Sequence, residues 1–138
     1  MPVVNYHLVA GRDAPDAVGE LLRRSCALFA EVLDSPIERV RAFATLHEPS
    51  QACVGGRLVA DGAEPAPFFQ FALLAGRPLD HRHRLLAGFT DLLVEVLGTP
   101  RELIRGGIWL IDPEDWAIGG VPAAALRRAE IEARRITP

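Results

Sequence analysis

Apolar residues along this chain follow two rhythms, and the rhythms occur twice in the same order. Residues 2–10 are apolar at most positions, as in a strand buried on both faces. Val18, Leu21, Leu22, Cys26, Leu28, Phe29, Val32 and Leu33 then recur at helical spacing. Asp13-Ala14-Pro15 supplies the helix start and Asp34-Ser35-Pro36 the stop. Residues 39–47 predict a second strand, and Gly55-Gly56 predicts a turn leading into residues 57–60. A polar, proline-bearing stretch at 61–65 joins the halves. The order then repeats: strand near 67–75, helix near 79–97, strand near 103–111. Residues 123–135 predict a last amphipathic helix.

The two halves also correspond residue by residue. Val3–Arg12 matches Phe68–Arg77, and both end in Ala-Gly-Arg. Glu31-Val32-Leu33 answers to Glu95-Val96-Leu97, Arg41 to Arg105, Glu48-Pro49 to Asp112-Pro113, and Gly55-Gly56 to Gly119-Gly120. Pro2 and Pro67 occupy matching positions, but only Pro2 can carry a free amine. Each half reads as β-α-β, and such crossovers are right-handed. The expectation is an α/β (α+β) fold: a four-stranded, mainly parallel sheet with two helices on one face. Neither unit is long enough to be stable alone. The chain is therefore read as one domain, 1–138, built of units 1–62 and 66–121 plus a terminal helix, 122–135. Two helices cover one sheet face only. Phe68-Phe69-Gln70-Phe71 and Ile108-Trp109-Leu110-Ile111 point apolar side chains both ways, so the second face is expected to be covered by further copies of the chain.

Composition narrows the chemistry. The net charge of −3 over 138 residues argues against a nucleic-acid partner. No apolar run reaches membrane-span length and no signal peptide is evident, so a cytoplasmic location is expected. All 15 basic residues are arginine. Lysine catalysis is excluded, and the amino terminus is the one aliphatic amine. Cys26 falls on a helix's apolar stripe, and Cys53 has no supporting histidine, so neither suggests a metal or disulfide site. His81 and His83 are two apart and do not share a helix face, which removes a zinc reading. No metal and no cofactor are expected.

A strand opening at Pro2, an Ala-Gly-Arg at its end, a helix, a Val-Arg strand and a residue before Gly-Gly, all present twice, resemble the tautomerase superfamily. One unit is similar to the whole chain of 4-oxalocrotonate tautomerase. Two fused units resemble malonate semialdehyde decarboxylase and cis-3-chloroacrylic acid dehalogenase. The resemblance covers all but the last helix and implies a homotrimer. It also implies that Pro2, uncovered by removal of Met1, is general base or acid. Arg77 would bind the substrate carboxylate. Arg12, Arg41 and Arg105 match the family's other arginines, and Trp116 matches its aromatic wall, where the first unit has Ala52. The chain departs from the decarboxylase at Arg77-Pro78-Leu79, which lacks a second arginine, but shares its Asp-Trp at Asp115-Trp116. Ala30 and Ile118 replace the dehalogenase's histidine and glutamate, which disfavours dehalogenation.

These residue types suit proton transfer beside a carbonyl. An α-amine titrates at about 7.7–8.0, and burial near guanidinium groups disfavours its cation. Arginine grips a carboxylate through two parallel hydrogen bonds and stabilises a developing enolate. The expected function is a cofactor-independent tautomerase for a small 2-oxo or enol carboxylic acid. A decarboxylase of a 3-oxo acid is the nearest alternative. A catalytically silent trimer that binds anions or a protein partner is the second. Other readings stay open for several residues: ion pairs with Glu38 and Glu102 for Arg41 and Arg105, a trimer contact for Arg12, a core or interface anchor for Trp116. With Met1 retained, Pro2 is an amide nitrogen and the proline mechanism fails.

Overall fold

The computed structural model describes residues 2–136. Strand β1 spans Val3–Val9, helix α1 Pro15–Leu33 and strand β2 Arg41–His47. A hairpin of β3 (Cys53–Val54) and β4 (Arg57–Leu58) follows. The second half repeats this with β5 (Phe68–Leu74), α2 (Leu79–Leu97), β6 (Arg105–Ile111) and a hairpin of β7 (Ala117–Ile118) and β8 (Val121–Pro122). Both hairpins turn on glycine pairs with positive φ, Gly55-Gly56 and Gly119-Gly120, which a two-residue turn of this kind requires.

The four long strands form one sheet in the order β2-β1-β5-β6. Each outer pair is parallel, and the central pair β1–β5 is antiparallel. The second strand of each unit starts later than its apolar run suggests. Residues 37–39 and 101–103 instead form a 3-10 turn that delivers buried Val40 and Ile104 to the sheet edge.

The core lies between the helices and the alternate strand residues Val4, Tyr6, Leu8, Phe69, Phe71 and Leu73. Phe29 of α1 and Phe89 of α2 meet edge to face at 4.8 Å over this layer. One polar pair is buried within it. The Tyr6 hydroxyl lies 2.6 Å from Ser25 Oγ, which itself donates to the Leu21 carbonyl at 2.7 Å. Burial drives the Tyr6 ionisation well above its ordinary range, so the phenol remains a donor. Ser25→Ala therefore strands a buried donor and is expected to cost about 1–3 kcal/mol in urea unfolding. Tyr6→Phe leaves the serine's own bond in place and should cost less.

The other sheet face is open in a single chain. Phe43, Trp109 and Phe68 are 55%, 49% and 36% exposed there, too much apolar surface for a face that meets only water. His7 and His47 stack beside Phe68, with His7 Nδ1 2.9 Å from His47 Nε2. Burial and its neighbour hold His7 below the usual imidazole range.

The terminal helix differs from its expected form. It breaks at Arg127 (φ −115°, ψ 21°) into α3, Ala123–Leu126, and α4, Arg128–Ile136. Among the described residues no helix is long and apolar enough to cross a membrane.

Candidate active site at Pro2

Pro2 is buried at the head of β1, its carbonyl accepting from the Arg41 backbone N–H at 3.0 Å. Because β1 and β5 run antiparallel, with Val3 opposite Ala72, the head of β1 lies beside the tail of β5. The turn after β5 carries Arg77 back to Pro2. By the same geometry the turn after β1 carries Arg12 to Pro67 at the opposite end of the sheet. The central pairing thus decides which arginine meets which proline.

Pro2 lines a cavity of about 20 Å³. Leu33 at the end of α1 and Leu73 and Leu74 at the end of β5 form its apolar walls, with Ser35 beside them. Four arginines complete it: Arg39 from the 3-10 turn, Arg77, Arg127 from the break between α3 and α4, and Arg134 from α4. Glu130 is the one carboxylate of the lining.

The electrostatics follow from that crowding. Arg77 Nη1 donates to the Leu33 carbonyl at 3.0 Å, at the C-terminal end of α1, where a helix favours a cation. Burial, and then the Arg134 charge, push the Arg77 guanidinium down to about 10, with Glu130 and Asp34 offsetting part of the effect. Arg134 is lowered by burial as well, against the support of Glu130. Arg39 Nη1 donates to both Glu130 oxygens, at 3.1 and 3.0 Å. Arg127 Nε is buried with no hydrogen-bond partner among the described residues. The lining carries four guanidinium groups against one carboxylate, a charge balance that favours an anion.

The other sequence candidates lie elsewhere. Arg12 is exposed and lines the cavity at Pro67, whose nitrogen is an internal amide. Arg41 and Arg105 are exposed on the two outer strands. Each guanidinium donates to the backbone carbonyls of its own 3-10 turn, Arg41 to Glu38 and Val40, Arg105 to Glu102 and Ile104. Those contacts are to backbone and not to the Glu38 and Glu102 carboxylates of the alternative reading, and neither arginine lines the Pro2 cavity. Trp116 is half-buried at the second hairpin, where its carbonyl accepts from Ala123 N–H at 2.7 Å, and it too stands outside that cavity. Met1 lies outside the described residues. No cluster of three metal-ligating side chains occurs among the described residues.

Arg39, Arg127, Glu130 and Arg134 were not candidates from sequence. The signal for three of them was available: positions 127, 130 and 134 recur at helical spacing and share one face.

The tautomerase enzyme family profile matches residues 67–125, the second unit. The 2-hydroxymuconate tautomerase of Comamonas testosteroni is 36% identical over 62 residues, taking in 98% of that protein and 45% of this chain. The chain belongs to the tautomerase family. The crystal structure of native fused 4-OT superposes with a TM-score of 0.83 at 33% identity, over 90% of this chain and 98% of that one. F6 fused 4-OT, an asymmetric trimer, superposes at 0.81 with 25% identity over the same shares. The tautomerase fold of this chain is thus the two-unit form, and its open sheet face matches a fold that assembles as trimers.

Proposed function

We propose that the protein is a cofactor-independent tautomerase of a small 2-oxo or enol carboxylic acid, with Pro2 as general base and acid once Met1 is removed. The observation that carries this reading is the burial of Pro2 in a small, arginine-lined cavity with Arg77. Substrate would enter as a carboxylate, held by Arg77. The Pro2 nitrogen would take a proton from the enol oxygen or the adjacent carbon and return it to the other. Apolar walls keep water from the transfer, which strengthens the guanidinium's hold on developing enolate charge. Arg41, Arg105 and Trp116 stand outside the cavity of a single chain and are not used in this step. The same reading assembles the protein as a homotrimer through the open face of Phe43, Phe68 and Trp109.

The test is enol–ketone conversion of phenylenolpyruvate by protein whose intact mass shows Met1 absent. Carbon dioxide release from malonate semialdehyde, with no such conversion, would replace the reading with a lyase. Neither activity would leave a silent anion-binding trimer. Arg77→Ala is expected to lower kcat/KM by about twentyfold, the loss of a charged hydrogen bond worth about 1.5–3 kcal/mol. Arg12→Ala should leave it within about twofold, because Arg12 stands at the proline that has no amine. Equal losses in the two variants would show that the antiparallel pairing does not assign the substrate arginine.

A further inference from the structure

The two ends of the sheet hold matching cavities of very different size. At Pro67 the space is about 220 Å³; at Pro2 it is about 20 Å³, room for about one water molecule and no organic acid. Strand ends, helix ends and arginine are equivalent at the two sites. The difference is the terminal segment: α4 supplies Glu130 and Arg134 to the Pro2 end, and the break before it supplies Arg127. Any acid that reaches Pro2 must therefore displace something that α4 supplies.

Glu130 is the group such an acid would replace. It is the cavity's sole carboxylate, and both its oxygens accept from Arg39 Nη1. Its charge also supports the Arg77 and Arg134 guanidinium groups, both of which burial disfavours. A small carboxylic acid presents the same two oxygens and the same charge. The Glu130 side chain is 47% exposed, so it can turn out to solvent when displaced.

We propose that Glu130 is the resting occupant of the anion site at Pro2, and that a carboxylate ligand binds by displacing it from Arg39. Arg39 is then a specificity-determining residue supplied by the first unit. This rests on the reading of the Pro2 cavity as a carboxylate site, but not on Pro2 being the base.

The experiment is calorimetric titration of malonate, an unreactive carboxylate, into Met1-free protein, Glu130→Gln, Arg39→Gln and the double variant. Both side chains are partly exposed, so the variants are expected to fold, and circular dichroism checks this. Glu130→Gln should bind malonate about fivefold more tightly, the scale of a half-exposed ion pair that no longer has to be broken. Arg39→Gln should bind more weakly, and adding Glu130→Gln to it should bring no gain. Weaker binding by Glu130→Gln would show instead that the glutamate only clamps α4 in place. A gain that persists without Arg39 would show that it acts through the general field. Unchanged binding would remove it from the ligand's path. Each of these three results overturns the proposal. Loss of proline catalysis is read separately, by acetylation of the amino terminus.

Discussion

Acetylating the amino terminus is expected to lower kcat/KM by about 10²–10⁴, the usual contribution of a positioned proton-transfer group. The chain suits this test unusually well. It contains no lysine, so once Met1 is gone the Pro2 nitrogen is the one aliphatic amine in the chain. A single acetyl group in the intact mass would report complete modification. The acetylated nitrogen is an amide with no basicity, which is also its state while Met1 remains attached. Pro2→Ala is a milder change. The processed variant still has an α-amine, but a primary one, free to rotate where the ring of proline fixes φ. Its activity should fall between native and acetylated protein. The pH profile of native material should rise through one ionisation below the ordinary α-amine range. Burial at Pro2 and the positive charge of Arg77 both disfavour the cation, and only the neutral amine accepts a proton. Full activity after complete acetylation, or in material whose mass still includes Met1, would end the proline mechanism.

How far the sequence leads to this site depends on which interactions are local. The strand and helix of each unit were legible because their apolar periods are unbroken. Helix α1 ends at Leu33, and α2 spans Leu79–Leu97, as the patterns predict. The repeat set Pro2 apart from Pro67, and the resemblance to the tautomerase superfamily pointed to Arg77. The sense of the central β1–β5 pairing was not legible, since no residue pattern within either strand encodes the direction of its neighbour. Yet that pairing brings Arg77, and not Arg12, to Pro2. Arg39 was hidden for a different reason. Read as the first residue of a strand, it alternates with Val40 and faces away; in the 3-10 turn that forms instead, it faces the cavity. Arg127, Glu130 and Arg134 shared a helix face in the sequence, but nothing local said where that helix docks.

The repeat also hides a difference in core volume that yields the second large expected effect. Gly106→Ala is expected to destabilise the fold by about 3 kcal/mol, the upper end for overpacking a core. In the first unit Val4 lies opposite Ala42; at the matching positions of the second, Phe69 lies opposite Gly106. Phe69 is fully buried, and a Cβ on Gly106 would sit 2.1 Å from its Cζ. The ring cannot retreat easily, because Tyr6, Phe71 and Phe89 surround it with centroids 6.1, 6.3 and 5.7 Å away. Glycine stands at 106 to leave room for a phenylalanine ring that the first unit does not have. Phe69→Val alone should also destabilise, by leaving a cavity among those rings. The double variant Phe69→Val with Gly106→Ala recreates the Val4–Ala42 pairing and should be more stable than Gly106→Ala alone, a coupling of opposite sign to simple addition. Urea unfolding at one fixed protein concentration measures all three, since assembly adds to apparent stability. A neutral Gly106→Ala would mean that the ring has space to move and that the two units do not balance volume between facing strands.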